Sequence, residues 1–187
     1  AKKIYADVMK FFVIVLAFIF LIVTTFYDFF INFLGSDYHD ERGFLVVSIL
    51  LLANFFLGIY YNLSIWYKLT EKTIYGAGLA VFGATITVIL NFILIPSIGF
   101  VGSAFATLIC YFSMMIVSFI LARKHYPIPY NFSRILLYFS LMISIFIILY
   151  CTSFTLLIDV LFILVYLLIV YVLEKPKNTI NSTPKLF

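Results

Sequence analysis

Six runs of apolar residues, joined by short polar stretches, set the first limit on how this chain folds. They cover residues 11–33, 44–67, 73–95, 100–122, 135–150 and 155–173. A helix needs about 20 mostly apolar residues to cross the hydrocarbon core, within a range of about 17–25. The first four runs meet that length. The last two lie in one stretch, Ile135 to Leu173, whose only charge is Asp159. That stretch is too long for one crossing and divides at the CTSF joint into two. Strands of a membrane barrel are excluded, because they are about 9–11 residues long and alternate with a polar lumen face. An open sheet is excluded too, because lipid cannot satisfy its edges. The expected fold is therefore an all-α, polytopic membrane bundle of about six helices over 1–173, followed by a polar tail at 174–187.

Composition agrees. Hydrophobic residues make up 65% of the chain and charged ones 11%, against about 45–50% and about 25% in soluble domains. Too few polar residues remain to clothe a water-facing exterior. The basic residues form no broad face interleaved with aromatics, which argues against nucleic acid as a partner and leaves membrane lipid as the surrounding medium.

The basic residues sort by loop. With six crossings, eleven of the twelve fall on one side. Arg42 is the exception, in the GSDYHDER stretch with Asp37, Asp40 and Glu41. Basic loops stay in the cytoplasm, so both ends of the chain are expected there. The start, AKKIYADVMKFF, has no signal-peptide pattern and reads as a chain entered midway.

Small residues mark where helices touch in lipid, since close packing replaces much of the hydrophobic drive. Gly76, Ala80 and Ala84 recur at four-residue spacing in the third run. Gly102 and Ala106 share a face in the fourth, as do Ser103 and Thr107. A tight hairpin of the third and fourth helices follows. Pro96 suits the end of the third helix, and Gly99 can take turn dihedrals closed to other residues. Packing is the first reading of these residues and substrate contact the second.

Polar groups inside the apolar runs are few. Asp28 and Asp159 both lie toward the outer side, where they either reach the interface or couple transport to an ion. Asn54, Asn62 and Asn91 are expected to bond to neighbouring helices or to sugar hydroxyls. Thr70 is positioned to cap the third helix, with Glu71 at its positive end. Among 23 Phe and 14 Tyr, many Tyr lie near run ends and read as interfacial anchors. Cys110 and Cys151 read as ordinary thiols.

No catalytic constellation is visible. His39 and His125 fall in loops on opposite sides, and neither has metal-ligand spacing to a second strong ligand. There is no nucleophile elbow, phosphate loop or HExxH. The chain reads as non-enzymatic, without cofactor or metal.

Residues 61–130 carry a recognisable pattern. It consists of Leu90-Asn91, Ile95-Pro96, Gly99, Gly102-Ser103-Ala104 and Ala106-Thr107. The loop at 68–73 precedes it, and Arg123-Lys124 with Tyr126-Pro127 follow it. This stretch resembles the carboxy-terminal part of bacterial polysaccharide-biosynthesis transporters. These are the lipid-linked oligosaccharide flippases of the multidrug/oligosaccharidyl-lipid/polysaccharide exporter superfamily. The resemblance implies a fragment of a MATE-like transporter with two helical lobes and a cavity between them, its amino-terminal lobe lying in a missing part of the same parent chain. It implies a substrate such as an undecaprenyl-pyrophosphate-linked oligosaccharide, moved across the bacterial cytoplasmic (inner) membrane. Asn91, Pro96 and Gly99 would be architectural, and no substrate-binding residue carries over. Three other readings stay open: a drug or metabolite exporter of the same superfamily, a small membrane scaffold that transports nothing, and, last, an intramembrane enzyme, which product formation would have to reveal.

Overall fold

The computed structural model describes residues 2–34, 42–152 and 156–175. Its elements are α1 (Lys2–Thr25), α2 (Tyr27–Leu34), α3 (Gly43–Leu63), α4 (Ile65–Leu69), α5 (Ile74–Ile98), α6 (Phe100–His125), α7 (Phe132–Thr152) and α8 (Leu156–Glu174). Six helical spans, with α3 and α4 counted as one, are long and apolar enough to cross a membrane. The chain is an all-α, multi-spanning membrane protein. The acidic stretch at 35–41, with His39, and the tail beyond Lys175 lie outside the described residues.

The elements form a row. α6 packs between α5 and α3, α3 packs on α1, and α1 is flanked by α7 and α8. The six spans alternate in direction. One end of the bundle therefore gathers the start of α1, α4, the start of α5, the C-terminal end of α6, the start of α7 and the end of α8. Contacts across this end confirm the arrangement. The Lys2 ammonium lies 4.4 Å from the Tyr126 ring centre, and Lys10 pairs with Glu174. Among the described residues, Lys2, Lys3, Lys10, Lys68, Lys72, Arg123, Lys124, Arg134 and Lys175 sit at this basic end. Arg42 lies at the other, 4.7 Å over the Phe100 ring.

Several boundaries differ from expectation. The first helix begins nine residues earlier than the apolar run, because Met9 is buried and Lys10 has a carboxylate partner, so the charged start is packed rather than loose. α1 and α2 divide at Phe26, although its N–H still donates to the Ile22 carbonyl and its carbonyl accepts from the Phe30 N–H; two residues earlier, the Thr24 hydroxyl donates to the carbonyls of Phe20 and Leu21. Such back-bonding competes with the ladder and bends helices. α7 is longer than the fifth run, beginning at Phe132 and continuing through Cys151. α5 continues through Pro96 to Ile98. A proline there removes one ladder bond near the helix end, where few remain to be lost. Gly99 ends the helix with φ 65°. Nothing lies within 4 Å of where its side chain would start, so backbone conformation rather than space calls for glycine.

Thr70 does not cap α5. Its hydroxyl donates to the Trp66 carbonyl and so closes α4 instead. Thr73 takes the N-cap position of α5 without a side-chain bond. Glu71, expected at the positive end of the helix, turns the chain with φ 58°.

One core fills the space among α1, α3, α7 and α8. α1 turns Met9, Val13, Ala17, Phe20 and Leu21 into it, a spacing of three and four that keeps them on one helical stripe. Tyr138, Met142 and Ile145 of α7 and Ile163 and Tyr166 of α8 meet that stripe. Tyr166 also donates to the Ile14 carbonyl at 3.2 Å. A second, smaller cluster lies toward the basic end, with Trp66, Tyr67, Leu79, Cys110 and Met114.

Candidate functional sites

Asp28 and Asp159 are far apart in sequence, but the structure brings both to the lining of one pocket. Its volume is about 380 Å³, and Thr24, Thr25, Tyr27, Phe44, Phe146, Leu149 and Tyr150 complete its wall. α2 carries Asp28 and the first turn of α8 carries Asp159. Asp28 is exposed and Asp159 half-buried. One carboxylate oxygen of Asp159 and the Thr25 hydroxyl are buried there without a hydrogen-bond partner among the described residues. A carboxylate and a hydroxyl left open in an apolar bundle form the polar chemistry that protons and small cations exploit in membranes.

At the basic end, Glu174 is the hub of a network the sequence did not reveal. Its Oε2 lies 2.5 Å from Lys10 Nζ. Its Oε1 accepts from Tyr138 Oη at 2.6 Å and from Arg134 Nη1 at 3.3 Å. Arg134 Nη1 also donates to the Leu173 carbonyl at 2.8 Å, satisfying a carbonyl at the α8 terminus as basic side chains do at helix ends. Three helices are tied together by one carboxylate. The tail assignment of Glu174 is thereby corrected, because packing against α1 and α7 extends α8 through it. Lys3, Asp7 and Asn131 help line a pocket of about 250 Å³ beside this network.

His125 is the last residue of α6 rather than a loop residue. Its ring stacks on Trp66 with centres 5.0 Å apart and planes 10° apart. Its Nε2 lies 3.4 Å from the Tyr75 hydroxyl. This aromatic group joins the ends of α4, α5 and α6. Among the described residues, no group of His, Cys, Asp and Glu has metal-binding geometry.

The hairpin residues divide. Gly102 is buried, and a side chain there would start 2.5 Å from the Leu94 carbonyl oxygen, so α5 and α6 make backbone-close contact. Ala104 and Ala106 are buried on α6, while Ser103 and Thr107 are half-buried. Thr107 donates to the Ser103 carbonyl at 2.9 Å. On α5 the contact to α6 runs through Gly83, whose open side is filled by the Met114 side chain and whose carbonyl accepts from the Cys110 thiol at 3.2 Å. Gly76 packs against the Tyr67 ring. Ala80 and Ala84 are exposed, on the side of α5 away from α6. Pro96 is exposed as well.

The three asparagines bond within their own helices. Asn54 donates to Leu50, Asn62 to Gly58 and Asn91 to Thr87, each to the carbonyl four residues back. Among the described residues they make no bond to a neighbouring helix, because the preceding turn offers a nearer acceptor. The Asn91 side-chain oxygen Oδ1 is left buried and without a partner among the described residues.

Two further cavities meet near α6 and α7. A cleft of about 500 Å³ lies among α1, α3, α6 and α7, with an almost wholly apolar lining that includes Phe55, Phe112, Met115 and Phe139. A second cavity of about 510 Å³ is formed by the end of α6 and the loop into α7, with Arg123, Tyr126 and Tyr130 in its wall. Phe119 and Phe132 line both. Their rings meet edge to face, with centres 5.0 Å apart.

Fold and sites together define a multi-spanning helical membrane protein with polar groups gathered at the two ends of its bundle. Compared with known proteins, the chain matches no family model, no curated sequence and no solved structure.

Proposed function

We propose that this chain is the carboxy-terminal part of a two-lobe, MATE-like transporter that flips a lipid-linked oligosaccharide across the bacterial cytoplasmic membrane, with the basic end facing the cytoplasm. The observation that carries this reading is the α5–α6 hairpin. The residues that resemble the flippases, Asn91 through Thr107, form its closed end, and the outer face of α5 is left open. Ala80 and Ala84 form a small-residue stripe on that face, the kind of surface that lets another helix approach closely in lipid. In this reading the open face meets the amino-terminal lobe of the parent chain. The charge distribution supports the orientation, since basic loops stay in the cytoplasm.

Flipping makes and breaks no covalent bond. The Asp28–Asp159 pocket is the place where an ion gradient would be coupled to the movement. A proton or small cation entering it would satisfy the open Asp159 oxygen.

The test is to isolate the native protein from its membrane, determine its chain length, and reconstitute it in vesicles with a fluorescent polyprenyl-pyrophosphate-linked sugar. A chain carrying a second helical lobe, and gradient-dependent flipping that disappears in the Asp28→Asn/Asp159→Asn variant, is the expected result. Flipping unchanged in that variant removes the coupling role. No flipping by the native protein refutes the reading.

A further inference from the structure

The apolar cleft and the loop cavity lie side by side, with Phe119 and Phe132 in the wall of both. Their chemistry differs. The cleft lies among the helices and is lined by aromatic and aliphatic side chains. The loop cavity lies at the end of the helices, where a bilayer places its headgroups. Arg123 is part of its wall, and no acidic residue lines it. Lys2 adds a second positive charge, held over the Tyr126 ring. The Tyr130 hydroxyl is buried and unpartnered among the described residues. Burial pushes it up to about 12, so at physiological pH it holds its proton and is a donor in want of an acceptor. A buried donor without an acceptor is costly, because it has lost its water partner and gained nothing in exchange.

An apolar slot beside a cavity with an arginine in its wall, a second cation nearby and an unpartnered hydroxyl donor matches one kind of molecule. We propose that the cleft holds an acyl chain of an anionic phospholipid, with its phosphate at Arg123 and Tyr130 and the Phe119–Phe132 pair between head and chain. Arginine suits the role, because its planar fork pairs with phosphate oxygens in two places at once. The lipid fills the gap among α3, α6 and α7 and supplies the acceptor that Tyr130 lacks. This site is separate from the Asp28–Asp159 pocket, and its failure leaves the flippase reading standing.

The experiment is native mass spectrometry of the full chain, released from detergent with added phosphatidylglycerol or with diacylglycerol of the same acyl chains. The proposal expects one retained phosphatidylglycerol per chain and no retained diacylglycerol. Arg123→Gln lowers phosphatidylglycerol retention about tenfold, the effect of losing one strong contact. Lys124→Gln, next in sequence but outside the cavity wall, leaves it unchanged. Ile116→Trp, which narrows the cleft, lowers it without touching the charges. Circular dichroism shows whether each variant keeps its helices. Equal retention of diacylglycerol overturns the proposal, because the phosphate then plays no part. Equal losses for Arg123→Gln and Lys124→Gln overturn it as well, because general surface charge then explains the binding.

Discussion

α1 and α5 are built from similar residues and have nearly the same length, yet they occupy opposite situations. α1 buries seven residues, spaced so that one stripe faces α3, α7 and α8. α5 buries only Leu79 and Gly83. Beyond the charged start of α1, which holds Lys2, Lys3, Asp7 and Lys10, both helices are strongly apolar, so the apolar runs themselves do not announce which one is enclosed. In water such a sequence would have to be buried. In lipid the solvent is as apolar as the side chains, and burial is decided by where packing is close enough to gain dispersion contacts. α1 has neighbours on several sides. α5 has α6 on one side, and its other side is open to lipid or to another helix.

Substitutions that add bulk separate the two situations. The largest effect is expected at Gly102, where the added side chain of Gly102→Leu meets the backbone of Leu94, which cannot rotate away as a side chain can. A loss of about 3 kcal/mol is expected, at the upper end of overpacking costs, read from unfolding in a denaturing detergent titration. A smaller change would mean that the hairpin is looser than its geometry.

Next comes the ion network that closes the enclosed half. Glu174→Gln leaves Lys10 without its carboxylate and weakens the bond from Tyr138. A charged hydrogen bond contributes about 1.5–3 kcal/mol, and a loss of about 2 kcal/mol is expected. A cycle with Lys10→Gln should show coupling between the two sites, since they are in contact. Additive losses would show that the pair is incidental.

Tyr166→Phe removes one hydroxyl and keeps the ring. It should cost about 1 kcal/mol, the typical worth of an intramolecular hydrogen bond, by thermal unfolding followed by circular dichroism. The smallest effect is expected on the open face of α5. Ala84→Leu should change the stability of this chain by less than about 0.5 kcal/mol, as surface substitutions do. In the proposed parent it should impair transport, because the same bulk would hold off the second lobe. A large loss of stability in this chain alone would show that the face is already occupied.

Much of the helical plan was legible because lipid imposes a length on each crossing. The six runs read from hydropathy correspond to the six spans of the structure. Helix ends were less legible. The start of α1 lies ahead of the apolar run, with Lys2, Lys3 and Asp7 among its residues, and only packing around Met9 and Lys10 reveals that the helix extends back through it. The α4–α5 turn was misread for a similar reason. Thr70 precedes an apolar run as a capping residue does, but its hydroxyl bonds backward to Trp66. The carboxylates were singled out by their rarity in apolar runs. That Asp28 and Asp159 share a pocket rests on how α2, α7 and α8 come together. Nothing about Glu174 marked it, since a lone acid at the end of a run looks like the start of a tail.

By itself, the sequence determined that this chain is helical, crosses the membrane repeatedly and sorts most of its basic residues to one end. These properties follow from the length of apolar runs and the cost of charge in lipid, and both are local. Only the tertiary structure decided which helices are enclosed, which small residues are contacts and which polar groups meet. Those outcomes depend on the order in which near-equivalent apolar helices pack, and the hydrophobic pattern carries little record of that order when the solvent is itself apolar.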